Sequence, residues 1–177
     1  MMRVALILLV ALLHSAVVLW GVLDHARLIR SGTEVVLKAT AVDPRDLLRG
    51  HYATLRLAIS EVPRGLPGML PGALPLAGSP IWVILAPGAD GVWQATGIAA
   101  ADPDGVAIRG QLLSEYGDTL SIEFDIARYY APRDRALVLE DAMRRDSVAV
   151  ILALGPDGQA ALRGVVIDGV RHMETLF

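Results

Sequence analysis

Val4 to Leu23 is a run of twenty residues without a charge, broken only by the polar side chains of His14 and Ser15. A helix needs about 20 predominantly apolar residues to cross the hydrocarbon core of a bilayer, so this run is long enough to span. A core helix of a soluble domain is seldom apolar on every face over that length. A cleaved signal carries an apolar stretch of about 7–15 residues followed by a small-x-small site. Here the exit reads Leu19-Trp20-Gly21-Val22-Leu23-Asp24-His25-Ala26 and offers no such site. The pattern predicts an uncleaved anchor, with residues 1–30 as anchor and juxtamembrane linker and 31–177 as the domain it carries. An ionisable group inside a span is costly, and His14 is read as a neutral imidazole hydrogen-bonded to backbone or to a partner. Arg3 precedes the span, and Asp24, Arg27 and Arg30 follow it, so loop charges do not choose an orientation.

Beyond the anchor the period changes. Glu34 to Val42 is rich in β-branched residues and closed by Asp43-Pro44, which predicts a strand. After the tight connection Arg45 to Gly50, a second strand is expected over His51 to Ile59. Pro63 to Pro80 holds five prolines and four glycines, which predicts a loop free of strand and helix. That loop is also oily, with Leu66, Met69, Leu70, Leu74 and Leu76, as expected of a segment packed along its own domain or meeting a membrane partner. Ile81 to Ala86 and Val92 to Ile98 form a predicted hairpin around Pro87 to Gly91. Val106 to Leu113 and Thr119 to Phe124 form another, and Val148 to Leu154 with Ala160 to Ile167 a third. One helix is expected, roughly Asp134 to Arg145, where Ala136, Leu137, Leu139, Glu140, Ala142 and Met143 are good helix formers at helical spacing. The fold class is therefore mainly β, an antiparallel sheet or sandwich with one helix packed on it, plus one N-terminal transmembrane helix.

Composition removes several functions. Residues 31–177 hold 13 basic and 18 acidic groups, a net of −5, whereas a nucleic-acid binder presents a basic face to phosphates. Nucleic acid is excluded as a partner. The absence of Cys removes disulfides, thiolate catalysis and Cys-based metal sites. Fifteen of the sixteen basic residues are Arg, a compositional bias rather than a phosphate-binding design.

The most distinctive stretch is Val42-Asp43-Pro44-Arg45-Asp46-Leu47-Leu48-Arg49-Gly50-His51-Tyr52-Ala53-Thr54-Leu55. It resembles the GDYXXLXY family of membrane-anchored bacterial proteins, whose core reads V-D-P-R-D-x-x-R-G-D-Y-x-x-L-x-Y. The resemblance continues through Ile126 to Pro132, with Tyr129 and Tyr130, and through Gly158 to Gly164 with Asp168-Gly169. Two positions depart: His51 stands where the family has Asp, and Leu57 where it has the final Tyr. The resemblance implies a single N-terminal helix in the inner membrane, an exported β-rich domain on the extracytoplasmic side, and association with multi-spanning membrane proteins. It implies no established activity.

The motif also reads physically. Asp43, Arg45, Asp46 and Arg49 lie close enough in sequence for a local ion-pair network, and Asp43 before Pro44 suits an Asx turn. Gly50 stands where the backbone needs freedom, Tyr52 is expected to be buried with its hydroxyl on a partner, and Leu55 belongs to the following strand. A stapled strand-turn-strand corner is one account of these residues. A site where Arg45 and Arg49 receive an anion or a partner's carboxylate is the other. No nucleophile elbow, phosphate loop, zinc-protease or dinucleotide motif is present. Lys38 with Ser60, Ser114, Ser121 or Ser147 is a conceivable Ser/Lys hydrolase, and His51 with His172 a conceivable metal pair, but none sits in a recognisable motif. Asp102/Asp104 and Glu123/Asp125 specify no acid–base chemistry. The expectation is a non-catalytic accessory or binding protein without cofactor or metal, its small-molecule ligand unknown, with an envelope hydrolase or an anion binder as rivals.

Overall fold

A computed structural model describes residues 2–41, 55–69, 75–126, 142, 145 and 147–173. The apolar run lies in one helix, α1 (Met2–Ser31), which outlasts that run by two turns. Its segment Leu6–Ser31 is long and apolar enough to cross a membrane, and no residue of its most apolar part is buried. The added turns have a different job. Ala26 and Leu28 are half-buried and Ile29 buried, where α1 packs on two strands of the domain.

Those strands belong to one mixed sheet: β1 (Thr33–Ala41), β2 (Leu55–Leu57), β3 (Glu61–Pro63), β4 (Gly68–Met69), β5 (Pro80–Pro87), β6 (Trp93–Ala99), β7 (Ala107–Tyr116), β8 (Thr119–Glu123), β9 (Val148–Leu154), β10 (Ala160–Ile167) and β11 (Val170–Met173). The path runs β11-β10-β9-β1-β6-β5-β7-β8-β3. β3 is joined through a 3-10 turn (Ala58–Ser60) to β2, and β2 pairs back onto β1. Pairing from β2 through β1, β6, β5, β7 and β8 to β3, completed by the chain through the 3-10 turn between β3 and β2, makes a ring, with β9, β10 and β11 as a wing extending from β1.

The alternation read from the sequence sets what faces inward. Val35, Leu37 and Ala39 of β1 and Ile81, Val83 and Leu85 of β5 are buried, and Glu34, Val36, Lys38, Trp82, Ile84 and Ala86 between and beside them are not. They meet Val62, Ile98, Ile108, Leu112, Leu120 and Ile122 in a single core. β9 does not alternate: Val150 to Leu154 are all buried. A strand covered on both faces reads as a continuous apolar run, and here α1 lies against it. Register shifts at Ile84/Leu85, Leu112/Ser114 and Leu162/Gly164 add the bends that curl the sheet.

Three expectations change. Pairing is not wholly antiparallel, because β1 and β4 both run parallel to β6. The Pro-rich segment is not free of strand: Gly68 and Met69 pair with Gly97 and Ile98. This is feasible because neither Gly68 nor Gly97 carries a Cβ; one added at Gly97 would stand 2.5 Å from the Gly68 carbonyl oxygen. The prolines sit at strand ends, Pro63 closing β3 and Pro80 and Pro87 bounding β5, where a missing N–H does least harm. Finally, Ile167 does not close the chain's last pair. Asp168 and Gly169, with φ of 49° and 81°, make a tight turn into β11, which pairs with β10. The predicted helix over Asp134 to Arg145 lies outside the described residues except at Ala142, helical and buried, and at Arg145 in a turn. Within the oily segment, Leu66 packs against the core and Leu76 is exposed.

The Gly68–Gly97 contact leaves no room for a side chain. Gly97→Ala is expected to lower stability by about 1–3 kcal/mol, read as a fall in melting temperature of the purified full chain. Gly65→Ala, where the same Cβ meets open space, is expected to stay within about 0.5 kcal/mol.

Candidate functional site

Asp43, Arg45, Asp46, Arg49, Gly50, His51, Tyr52, Tyr129 and Tyr130 lie outside the described residues. The structure fixes where the signature segment leaves and returns. Ala41 ends β1, Leu55 begins β2, and the two are antiparallel partners, so both ends of the excursion from 42 to 54 are held side by side. Two pairs on, Leu57 stands opposite Ala39, so the signature's last position lies against a buried residue of β1. Leu57, which takes the place of the family's final Tyr, is 4% exposed and sits in the apolar core. Burying a hydroxyl there would require a hydrogen-bond partner, a demand that Leu does not make.

Beside this corner runs a groove of about 460 Å³, lined by Lys38 on the outward face of β1, Ile59 and Glu61 near the 3-10 turn, and Leu66, Trp93 and Gln94. The groove mixes an apolar floor with a Lys and a Glu at its rim. Of the serines considered as nucleophiles, Ser114 and Ser121 are register partners and the other two lie apart from that pair in sequence. Ser60 is buried in the 3-10 turn, Ser114 and Ser121 stand on β7 and β8, and Ser147 precedes β9. Asp102 and Asp104 are exposed, as are Glu123 and Asp125, the last two beside Arg109 and Gln111 in a shallow outer cleft. His172 is half-buried on β11, opposite Val165. Among the described residues, no three His, Asp or Glu side chains gather as metal donors.

Two charge clusters escaped the sequence reading. Glu34 on β1 receives Arg163 at 3.2 Å on one carboxylate oxygen and Arg171 at 2.9 Å on the other. Arg163 sits at the register shift of β10, where the bulge re-aims its side chain. No local signal could have found a pairing across 129 residues. At the second cluster, Arg145 holds both carboxylate oxygens of Asp168 at 2.9 and 3.0 Å, and the Asp168 amide donates to the Ser147 carbonyl. Hydrogen bonding from Ser147, then from Arg145 together with its charge, lowers the Asp168 pKa below the ordinary carboxylate value. The Ser147 hydroxyl has one proton and also faces the Ala142 carbonyl at 3.0 Å, so the Arg145 fork supplies the fixed part of that effect. The Asp-Gly pair between two β-rich runs was the signal for this turn.

The comparisons with known proteins follow from this frame. The family model described as GDYXXLXY protein matches residues 14–165, from inside α1 to the middle of β10. The chain belongs to the GDYXXLXY family. Neither a curated protein nor a solved structure matches it. For this GDYXXLXY protein the match takes in the apolar helix from His14 onward, the signature, the ring of strands and β9 with most of β10.

A carboxylate whose folded pKa is lowered contributes stability above its unfolded pKa and loses it as pH falls through the folded value. The Asp168 contribution is therefore complete at neutral pH and disappears on acidification below about pH 4. In an NMR titration the Asp168 carboxyl is expected to titrate below the ordinary Asp value, and Arg145→Ala to move it upward. Asp168→Asn, which tolerates the left-handed backbone at this turn, is expected to make the acid limb of the melting curve shallower.

Proposed function

We propose that this GDYXXLXY protein is a single-span accessory subunit of the bacterial envelope, with its β domain on the extracytoplasmic side of the inner membrane and a polytopic membrane protein as its partner. The partner is engaged through the corner at Asp43 to Tyr52 or along the oily segment 63–80.

The observation that carries this is the joint between α1 and the domain. α1 ends at Ser31 and β1 begins at Thr33, with Gly32 alone between them. The Gly32 amide donates to the Leu28 carbonyl at 2.8 Å, and the Ser31 hydroxyl donates to the Arg27 carbonyl at 2.8 Å. A Cβ at Gly32 would meet the Leu28 carbonyl oxygen at 2.6 Å, with Ala153 and the Leu154 carbonyl oxygen each at 3.0 Å. A flexible linker would let a tethered domain sample many heights and orientations. This joint has none, and Ile29 buried against the wing fixes the angle as well. A domain held at one height and one tilt suits a subunit that meets a neighbour in the same membrane.

The test is purification of the tagged full chain from its native membranes in mild detergent, with mass spectrometry of what accompanies it. A stoichiometric multi-spanning partner is expected, lost in Arg49→Ala while the variant's melting temperature stays unchanged. A clean monomer would remove the subunit assignment, and undiminished association of Arg49→Ala would remove the signature corner as the contact.

A further inference from the structure

The joint between helix and sheet is not solid. Between the last two turns of α1, the start of β7 and the hairpin joining β9 to β10 lies a cleft of about 600 Å³. Asp24, Arg27 and Ser31 line it from the helix, at spacings of three and four that put them on one face. Thr33, Asp157 and Gln159 line it from the domain. Its depth in a membrane follows from the helix. The charge-free run Val4 to Leu23 rises about 30 Å at 1.5 Å per residue, the thickness of the hydrocarbon core. Asp24 is the first charge beyond that run, so the cleft opens in the headgroup layer.

We infer that this cleft seats the headgroup of a zwitterionic aminophospholipid of the surrounding bilayer, with its phosphate on Arg27 and its primary ammonium between Asp24 and Asp157. The inference rests on α1 spanning the membrane.

Charge complementarity selects the occupant. Two carboxylates flank one guanidinium, which matches a cation and an anion joined by a short chain. An anionic headgroup without the ammonium would face both carboxylates uncompensated. The negative end of the α1 dipole lies at this end of the helix and adds to the preference for a cation. Among the described residues the ion pairs lie elsewhere, at Arg56–Glu61, Arg64–Glu115, Arg145–Asp168 and Glu34 with Arg163 and Arg171. Asp157 is held in place: one of its oxygens accepts the Gln159 side-chain amide at 2.7 Å and the other the Gln159 backbone N–H at 3.3 Å. Its backbone carbonyl accepts the indole N–H of Trp82 at 3.2 Å. The acidic wall is thus positioned before any ligand arrives. A primary ammonium has three N–H donors for such a wall, whereas a quaternary one has none.

Native mass spectrometry of the full chain in mild detergent, titrated with phosphatidylethanolamine, phosphatidylcholine or phosphatidylglycerol of matched acyl chains, tests this. One phosphatidylethanolamine is expected to be retained about tenfold better than either of the others, as for one or two charge-assisted hydrogen bonds. Arg27→Ala and Asp24→Asn are each expected to abolish the preference. Arg30→Ala is expected to keep it, because Arg30 lies in the same turns but outside the cleft. Equal retention of the three lipids would overturn the inference, as would an equal loss in Arg30→Ala, which would mark general interfacial attraction. Full displacement by water-soluble glycerophosphoethanolamine would overturn the bilayer as the source. Carbonate extraction separates the two levels: a chain washed from membranes loses both anchor and lipid seat, and one that stays without headgroup preference loses the seat alone.

Discussion

Thr33 to Lys38 hydrogen-bond to β9, Leu37 is paired with Trp93 of β6, and Ala39 to Ala41 pair with β2. Within nine residues β1 thus joins the wing, the ring and the returning end of the signature segment. Its inward residues Val35, Leu37 and Ala39 are essentially inaccessible. A slip of one residue would turn all three outward and drive Glu34 and Lys38 into the core. That penalty pins the register, and the register in turn determines that Leu57 lands inside the ring and that Glu34 faces the two arginines of β10 and β11. The parallel contact with β6 is the weak point of this scheme, a single pair of partners. The chain supports it from outside the strand, with β4 lying parallel along the far part of β6 at Gly97 and Ile98.

The same strand transmits the position of the helix. α1 feeds into β1 through one glycine, and its last turns lie on β9, the neighbour of β1, and on β10 beyond it. Motion of the helix relative to the sheet would have to open the buried Ile29 contact and the bonded turn at Gly32 together. The hairpin tip between β9 and β10 also reaches the ring. The Arg109 amide donates to the Gly158 carbonyl at 2.8 Å, and a Cβ at Gly158 would stand 3.0 Å from the Trp82 ring. Gly158 has a positive φ of 80°, so it meets a conformational and a steric requirement at one position. Helix, wing and ring are consequently braced at two places, and the orientation of the domain is tied to that of the helix.

Much of this was legible wherever the signal is local. The alternation in Glu34 to Val42 and Ile81 to Ala86 gave those two strands within one residue of their ends, and the apolar run gave the start of α1 within two. The helix outlasted its apolar run because Ala26, Leu28 and Ile29 bury against a sheet that no helical window contains. β4 was illegible for a related reason: Pro density is a local argument against strands, whereas the Gly68–Gly97 approach depends on two residues 29 apart in sequence. The parallel pairing of β1 with β6 is likewise a property of ring closure and of no segment by itself. For the candidate site, the sequence named the signature residues. It could not supply the groove along Lys38 and Trp93, the cleft at the joint or the grouping of Glu34 with Arg163 and Arg171, all of which arise from topology.

Charge completes the picture of a chain built in two electrical parts. Residues 1–30 carry three arginines and one aspartate, and the rest of the chain has a net charge of −5. Five of the arginines in the described part of the domain are paired with carboxylates at exposed or half-exposed positions, two of them on Glu34. Such pairs are worth little individually in water and are weakened by salt, so the buried apolar ring carries the stability. The net acidity of the domain is unchanged by such pairing, while Arg27 and Arg30 stay at the end of the apolar span. Near an anionic bilayer, basic residues at the headgroup layer are attracted and an acidic body is repelled, both within a Debye length. For a membrane-anchored chain the two forces act in opposite directions on either side of Gly32, and they favour a domain that stands clear of the lipid on a helix whose last turns remain in it. A tethered body with that balance keeps its outer faces available to a protein neighbour rather than laying them on the bilayer.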